Sequence, residues 1–236
     1  MAPSIKAQHI EATRFIAANG WLKACSTDFR DWIVTNLKFR SHAAGEAVSH
    51  GGDTSGGLYC LAEGQVSFRA SDGAADVAMS RFGLPGVWWG HAPLLGGRRV
   101  GTVIATTASV CGEVPLAALQ ARLDEHPKGW REISLGIGAL YAEAVGAHSD
   151  LLLAASDRRI AATILRLGGY RHSLFATRPP AGFACTQDQL AGATALSRNT
   201  VGEILRGFAE AGMVVAHYGQ IKIVDAARLM RVADPG

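Results

Sequence analysis

Arg198, Asn199 and Glu203 stand close together in the segment SRNTVGEILR and carry three different kinds of hydrogen-bonding group. A guanidinium can donate two hydrogen bonds to guanine, an amide can pair in the same bidentate way with adenine, and a carboxylate can accept from cytosine. On a helix the three side chains would share one face, which Thr200 and Arg206 extend. The chemistry indicated is the recognition of base edges. The alternative is a polar helix face that only meets solvent.

Apolar spacing predicts two short helices that would position these side chains. The apolar residues fall on one face of each helix: Leu190 and Ala191 in the first, and Val201, Ile204 and Leu205 in the second. Thr186 and Ser197 are placed as their N-caps. Ala195 stands in the turn where glycine is usual, so a positive φ there would strain it. This is the pattern of a helix-turn-helix, whose second helix enters the major groove of DNA.

The residues on either side of this motif predict a winged helix. Two apolar runs, 213–215 and 221–224, flank the turn His217-Tyr218-Gly219-Gln220 and are typical of a β-hairpin. The hairpin offers His217, Gln220 and Lys222 to phosphates. Residues 183–185 predict a short strand before Thr186, and the free N–H groups at Thr186 and Gln187 would lie beside a phosphate.

Charge and composition agree with a DNA-binding C-terminal half. The net charge is +3, and residues 151–236 carry ten Lys/Arg against six Asp/Glu, whereas residues 1–150 carry thirteen against fourteen. The sequence contains no apolar run long enough to span a membrane and no signal-peptide pattern. The four cysteines lack paired spacing and indicate reduced thiols, so we expect a cytoplasmic protein.

The composition and residue pattern of the N-terminal half are typical of a β domain. Residues 39–114 are rich in glycine and β-branched residues, with alternating runs at 65–70 and 100–111 that predict a sandwich, roll or barrel. A packing helix should precede it, since four apolar residues fall at helical spacing: Phe29, Trp32, Ile33 and Leu37.

Residues 116–153 predict helix, with a seam suited to a two-helix coiled coil. The seam residues recur at steps of three, four or seven: Trp130, Ile133, Ile137, Leu140, Ala144 and Leu151. We expect this helix to join two copies of the chain. Gly136, Gly138 and Gly146 would then allow close approach of the partner helix. The alternative is a helix buried against its own β domain.

The order of these elements and the string TQDQLAGATALSRNTVGEILRGFAEAGMVV resemble the Crp/Fnr family of bacterial transcription regulators over residues 25–230. The resemblance implies an α+β fold with three parts. These are an N-terminal cyclic-nucleotide-binding-like β-roll (a double-stranded β-helix) in residues 1–125, a long dimerisation helix in 126–154, and a C-terminal winged helix-turn-helix in 155–236. It further implies a homodimer on a two-fold symmetric DNA site, RNA polymerase as a partner, and no enzymatic activity. Ligand control would pass through a hinge near residues 154–157.

The same resemblance predicts an altered effector pocket. Nucleotide-responsive members bind ribose through a Gly-Glu pair and the cyclic phosphate through a downstream Arg, whereas this chain has Gly90 followed by His91. The candidate pocket residues are Trp89, Gly90, His91, Arg98, Arg99 and Thr102. With the carboxylate missing and two adjacent tryptophans in the segment, we expect no tight binding of cyclic AMP. The effector stays unassigned, and another anion or no ligand at all are the alternatives.

Cofactors and metals are not predicted. Cys25 stands alone where cluster-binding members have several cysteines, which argues against an iron–sulfur cluster. A haem needs only one or two axial ligands and stays open through His42, His50 or His91. Two other classes remain as alternatives: a cupin-type metalloenzyme, and a ligand-binding or protein-interaction module whose helix-turn-helix is vestigial.

Overall fold

The computed structural model describes residues 5–70, 81–172, 174–175 and 182–235. Residues 5–70 and 82–140 form one compact unit, and the described residues from Tyr141 onward form a second. The division falls inside the longest helix, between Leu140 and Tyr141. None of the helices in the described part of the chain is long and apolar enough to cross a membrane.

The first unit is built on two four-stranded sheets. Their strands are β1 Lys38–His42, β2 Ala47–Ser49, β3 Gly57–Glu63, β4 Val66–Ala70, β5 Arg81–Gly83, β6 Trp88–Trp89, β7 Gly101–Ala105 and β8 Ser109–Pro115. The strand orders are β1-β8-β3-β6 and β2-β7-β4-β5. Neighbouring strands run antiparallel, as in the long β3–β8 and β4–β7 pairs. The predicted β-roll is confirmed.

The interior of the roll is apolar because alternate residues of its strands point inward. Leu61, Val66, Trp89, Val103 and Cys111 are buried together, with partly buried aromatic and aliphatic side chains packed against them. This cluster fills the interior from both sheets, since Leu61, Trp89 and Cys111 belong to one sheet and Val66 and Val103 to the other.

Helices flank the roll at both ends of the unit. They are α1 Ile5–Ala18, a 3₁₀ turn Gly20–Ala24, α2 Thr27–Asn36, the short α3 His91–Leu94, α4 Leu116–Glu125 and α5 Gly129–Leu151. Ser26 caps α2 by accepting from the N–H of Phe29, and Phe29 and Ile33 are buried as predicted. The helical stretch expected over 116–153 is interrupted at residues 126–128, where Pro127 lacks the N–H that a continuous helix needs.

Gly136 and Gly146 make room for side chains of the same chain, which corrects for these two positions the expectation that a partner helix approaches them. A Cβ at Gly136 would lie 3.0 Å from the ring atoms His91 Nε2 and Trp21 Cε2. A Cβ at Gly146 would lie 2.4 Å from Cγ of His172. Each glycine is therefore a notch that receives an imidazole or indole ring from elsewhere in its own unit.

The predicted coiled-coil seam is divided along α5. Ile133 is completely buried within its own unit, so it cannot contact a second helix. Trp130, Ile137 and Leu140 are half-buried, whereas Ala144 and Leu151 are exposed. The exposed apolar residues that the seam did not include are Tyr141 and Val145 in α5 and Leu152 directly after it. The first turns of α5 are partly buried within the first unit, and its later turns present apolar side chains to solvent.

The second unit has the order of a winged helix. Its elements are α6 Ser156–Leu167, β9 Phe183–Ala184, α7 Gln187–Thr194, α8 Arg198–Glu210, β10 Val214–His217, β11 Gln220–Ile223 and α9 Ala226–Ala233. The three strands form one sheet in the order β10-β11-β9. Helix α9, which sequence reasoning missed, packs on α6 through buried Leu229 and Ala233. The predicted winged helix is confirmed.

A buried ion cluster ties the end of α5 to the rest of this unit. Asp150 is completely buried and accepts hydrogen bonds from Nε of Arg166 at 2.8 Å and Nε of Arg171 at 3.0 Å. Arg171 also pairs with Asp234, and Arg159 donates to the carbonyl of Leu153 at 2.8 Å. These bonds span residues 154–157 and argue against a hinge there. Helix α6 begins with Ala155 as its N-cap, without a side-chain cap hydrogen bond.

Candidate nucleic-acid interface

The first helix of the motif is capped as the sequence predicts. The hydroxyl of Thr186 accepts from the N–H of Gln189 at 3.1 Å, and the side chain of Gln189 accepts from the N–H of Thr186 at 2.8 Å. This reciprocal pair is a capping box, which fixes where α7 begins. Thr186 and Gln187 are both exposed at that end.

The turn between the two helices forces alanine into a glycine-like conformation. Ala195 has φ +51° and ψ +42°, in the left-handed region. Its N–H still bonds back to Gly192, and the N–H of Leu196 bonds to Ala191, so the turn is closed by hydrogen bonds. The predicted strain is present, and the crossing of α7 and α8 tolerates it because Leu190, Val201 and Leu205 are buried between them.

The second helix presents the predicted base-reading side chains to solvent. Ser197 caps it, its hydroxyl accepting from the N–H of Thr200 at 3.1 Å. Thr200 is half-buried, and its own hydroxyl lies 2.8 Å from that of Ser197. The other predicted residues of this helix are exposed: Arg198, Asn199, Glu203 and Arg206. The capped end of α8 therefore displays its donors and acceptors on one open face.

The hairpin that follows is a two-residue turn between paired strands. His217 pairs with Gln220, which leaves Tyr218 and Gly219 at the tip with φ of +45° and +74°. Two successive positive φ values are those of a type I′ turn. The predicted phosphate-contacting residues His217, Gln220 and Lys222 are all exposed.

A groove joins the start of α8 to the hairpin. It has a volume of about 340 Å³, and its walls include Thr186, Gln187, Arg198, His217 and Tyr218. Residues predicted from three separate parts of the sequence thus line one cleft.

Sequence reasoning missed two exposed polar side chains of this groove. Asp188 lies with its Oδ1 3.6 Å from Nε of Arg198, in an exposed pair that holds the guanidinium toward α7. Tyr218 is the other. The sequence feature that could have identified Tyr218 is a bulky aromatic residue directly before Gly219 in a tight turn.

The predicted effector-pocket residues do not form one cluster. Trp89 is buried in the roll, stacks on Tyr59 at 5.7 Å and donates from Nε1 to Ser49 at 3.2 Å. Arg99 is buried beside it, with its guanidinium 4.9 Å from the centre of the Tyr59 ring. A Cβ at Gly90 would lie 2.7 Å from Nη1 of Arg99. Trp89, Gly90 and Arg99 are thus brought together around Tyr59.

Arg99 is held by backbone carbonyls of its own chain. Its Nη2 donates to the carbonyl of Ser55 at 2.6 Å and to that of Gly57 at 3.0 Å. Arg98 is exposed and donates to the carbonyl of Gly52 at 3.3 Å. The hydroxyl of Thr102 accepts from the N–H of Gly51 at 3.0 Å. These bonds give each of the three side chains a role in fixing the loops of the roll.

His91 points away from this group. It is buried against Trp21 and the Gly136 notch, and among the described residues neither ring nitrogen has a hydrogen-bond partner. Burial lowers the pKa of His91 from 6.5 to about 4, so the ring is neutral at pH 7. His91 therefore packs on α5 at Gly136.

The cysteines and histidines show no metal arrangement within the described residues, where no group of three or more metal-ligating side chains occurs. All four cysteines are free and buried. Burial raises the pKa of the Cys25, Cys111 and Cys185 thiols to about 12. Of the histidines considered for haem, His42 bonds to Glu46 at 3.0 Å and His50 is exposed.

Two family models match the chain in the order of its two units. The cyclic nucleotide-binding domain matches residues 39–126, and the Crp-like helix-turn-helix domain matches residues 158–232. The chain belongs to the Crp/Fnr family of transcription regulators. As a Crp/Fnr regulator it is not an enzyme, which removes the cupin-type alternative.

Solved structures of other proteins share the Crp/Fnr fold. A CRP/FNR-family regulator from Thermus thermophilus is 23% identical, with 84% of this chain and 98% of that chain covered and a TM-score of 0.61. FixK2 from Bradyrhizobium japonicum is 16% identical, with 83% and 96% covered and a TM-score of 0.66. A putative cAMP-binding regulatory protein from Silicibacter pomeroyi is 16% identical, with 96% and 100% covered and a TM-score of 0.68. The chain has no significant match among curated proteins.

Proposed function

We propose that this Crp/Fnr regulator reads a specific DNA sequence through Arg198, Asn199 and Glu203. The observation that carries the proposal is the exposure of these three side chains on α8, where Arg198 also lines a groove whose far wall is the hairpin. Side chains at that end of a recognition helix meet base edges in the major groove. The hairpin residues His217, Gln220 and Lys222 then lie where the neighbouring phosphates pass.

We further propose that the regulator acts as a homodimer joined along the later turns of α5. Tyr141 is 71% exposed there, Val145 lies one turn further on the same face, and Leu152, also 71% exposed, directly follows the end of the helix. Burying such an apolar stripe lowers the free energy of the helix in water, and in a two-fold symmetric dimer the same stripe on a second copy can cover it. Two winged helices related by a two-fold axis would read an inverted repeat.

The proposed regulator does not take cyclic AMP as its effector. The residue after Gly90 is His91, so the ribose-binding carboxylate of nucleotide-responsive members is missing. The His91 ring packs on α5 at Gly136. The buried arginine of the effector pocket is already bonded to the carbonyls of Ser55 and Gly57. Trp89, stacked on Tyr59, fills part of the interior of the roll. We place the protein in the cytoplasm, with RNA polymerase as its protein partner at promoters.

The test compares two substitutions on a duplex that the wild-type protein selects. Arg198→Ala should weaken binding by about 1–3 kcal/mol and relax the preference at one base pair of each half-site. Lys222→Ala is the control for phosphate contacts. It should weaken every sequence alike and reduce the slope of log K against log salt by about 0.9. Fluorescence anisotropy titrations at several salt concentrations measure both effects, and added cyclic AMP should leave the affinity unchanged.

Two results would overturn this assignment. If Arg198→Ala leaves the sequence preference intact, the residue does not read a base. If the wild-type protein shows no salt-dependent DNA binding, the helix-turn-helix is vestigial, and the chain acts as a ligand-binding or protein-interaction module.

A further inference from the structure

The tip of the hairpin holds a tyrosine in a conformation that tyrosine rarely adopts. Tyr218 has φ +45° and is 91% exposed. The first position of a type I′ turn strongly prefers Asn, Asp or Gly, because a β-carbon crowds the backbone at positive φ. Neither burial nor backbone preference therefore explains why an aromatic residue occupies this position in the free hairpin.

The ring of Tyr218 is nevertheless held in a defined place. The imidazole of His217 lies against it, with ring centres 4.0 Å apart and planes tilted by 56°. The turn itself is rigid, since β10 and β11 pair from Val214–Ile223 through to His217–Gln220. The ring of His217 therefore lies against one side of Tyr218, and most of the Tyr218 ring is open to solvent.

Tyr218 lies on the same side of the unit as the base-reading helix. It lines the groove of about 340 Å³ that Arg198, Thr186 and Gln187 also line. A duplex whose major groove receives the start of α8 must carry its sugar–phosphate backbone across the mouth of this groove. What Tyr218 would meet is then the wall of the adjacent minor groove, formed by deoxyribose rings and base edges.

We propose that Tyr218 packs its ring face on deoxyribose in the minor groove beside each half-site and thereby contributes to DNA affinity without neutralising phosphate charge. This inference rests on the proposed DNA-reading function and adds a contact to it. The ring suits this surface because its face is apolar, as deoxyribose is, while its hydroxyl stays in water. Its contribution should be independent of salt, since a neutral side chain releases no counterions.

The matched variant for the test is Tyr218→Asn, because Asn-Gly is the preferred sequence for this turn and the hairpin should fold at least as well. Thermal unfolding of the full-length variant checks that its midpoint does not fall. In anisotropy titrations on the duplex selected by the wild type, we expect the dissociation constant to rise roughly five- to tenfold, in the range of aromatic contacts to nucleic acid. The salt slope should stay unchanged. Tyr218→Phe, which keeps the ring, should bind as the wild type does.

Hydroxyl-radical cleavage locates the contact, because it reports the exposure of individual deoxyriboses. The wild type should protect sugars beside each half-site, and Tyr218→Asn should lose that protection while keeping protection within the half-sites. Unchanged affinity, or lowered affinity with the flanking protection intact, would overturn the inference. A variant with normal DNA affinity but defective transcription would assign Tyr218 to a protein contact instead. If the wild type itself binds no specific site, the proposed function fails rather than this contact.

Discussion

Burial of His91 predicts a loss of stability on acidification that a single substitution should remove. The ring lies against Trp21 and Gly136, and burial lowers its pKa from 6.5 to about 4. Between those values the unfolded chain binds a proton on His91 and the folded chain does not. Stability therefore rises with pH across this range, and this contribution is fully present above about 6.5 and lost as the pH falls toward 4.

The size of the effect follows from the shift. Each pKa unit corresponds to about 1.4 kcal/mol, so the full contribution is about 3 kcal/mol, and about 2 kcal/mol of it is lost between pH 7.5 and pH 5. In the His91→Leu variant this loss should disappear from the difference between the two pH values, whatever the substitution does to stability at neutral pH. His126, which is exposed at the end of α4, supplies the matched control His126→Gln.

Denaturant unfolding followed by tryptophan fluorescence measures the loss of stability in the first unit. All five tryptophans, at positions 21, 32, 88, 89 and 130, belong to the first unit, as His91 does. We expect the wild type and His126→Gln to lose about 2 kcal/mol more than His91→Leu between pH 7.5 and pH 5. Equal losses in wild type and His91→Leu would refute the reasoning, because the imidazole would then titrate alike in the folded and unfolded chains.

Two further predictions concern the second unit. Asp150→Asn should destabilise the second unit by about 3–5 kcal/mol, because Arg166 and Arg171 would lose the buried carboxylate that they share. Hydrogen exchange of the backbone amides of α6 measures this loss of stability. A change below about 1 kcal/mol would contradict the buried-cluster assignment. Ala195→Gly should stabilise the turn by about 1 kcal/mol and leave the DNA affinity unchanged, since glycine adopts φ +51° without strain. Thermal melting followed by circular dichroism measures the gain in stability. A lower melting temperature in the variant would show instead that the methyl group of Ala195 packs favourably.

Features set by neighbouring residues could be predicted from the sequence. The caps at Thr186 and Ser197 and the two-residue turn before Gln220 depend on side chains within three positions of each other, and all three are present in the structure. The alternating strands of the roll follow from a period of two. The exposed polar face of α8, which we propose reads bases, follows from the same helical spacing that buries Val201 and Leu205.

Features set by distant contacts could not be predicted. The spacing of α5 predicted a continuous seam, but Ile133 is buried by its own unit and Gly136 receives His91, which lies 45 positions earlier in the chain. The family resemblance predicted an arginine in the effector pocket. Only the folded loop shows that the guanidinium of Arg99 donates to the carbonyl of Ser55. Helix α9 was missed although Asp225 was a usable cap signal, since its carboxylate accepts from the N–H of Arg228.

The most direct test of DNA reading by a symmetric pair is selection of bound duplexes from a random pool by the full-length protein. We predict that the selected sequences share an inverted repeat whose half-sites lie about one helical turn apart, roughly 10 base pairs centre to centre. The same selection with Arg198→Ala should keep the repeat and its spacing but lose the preference at one base pair in each half. A pool that stays random with the wild type, or yields single half-sites without symmetry, would contradict the proposal.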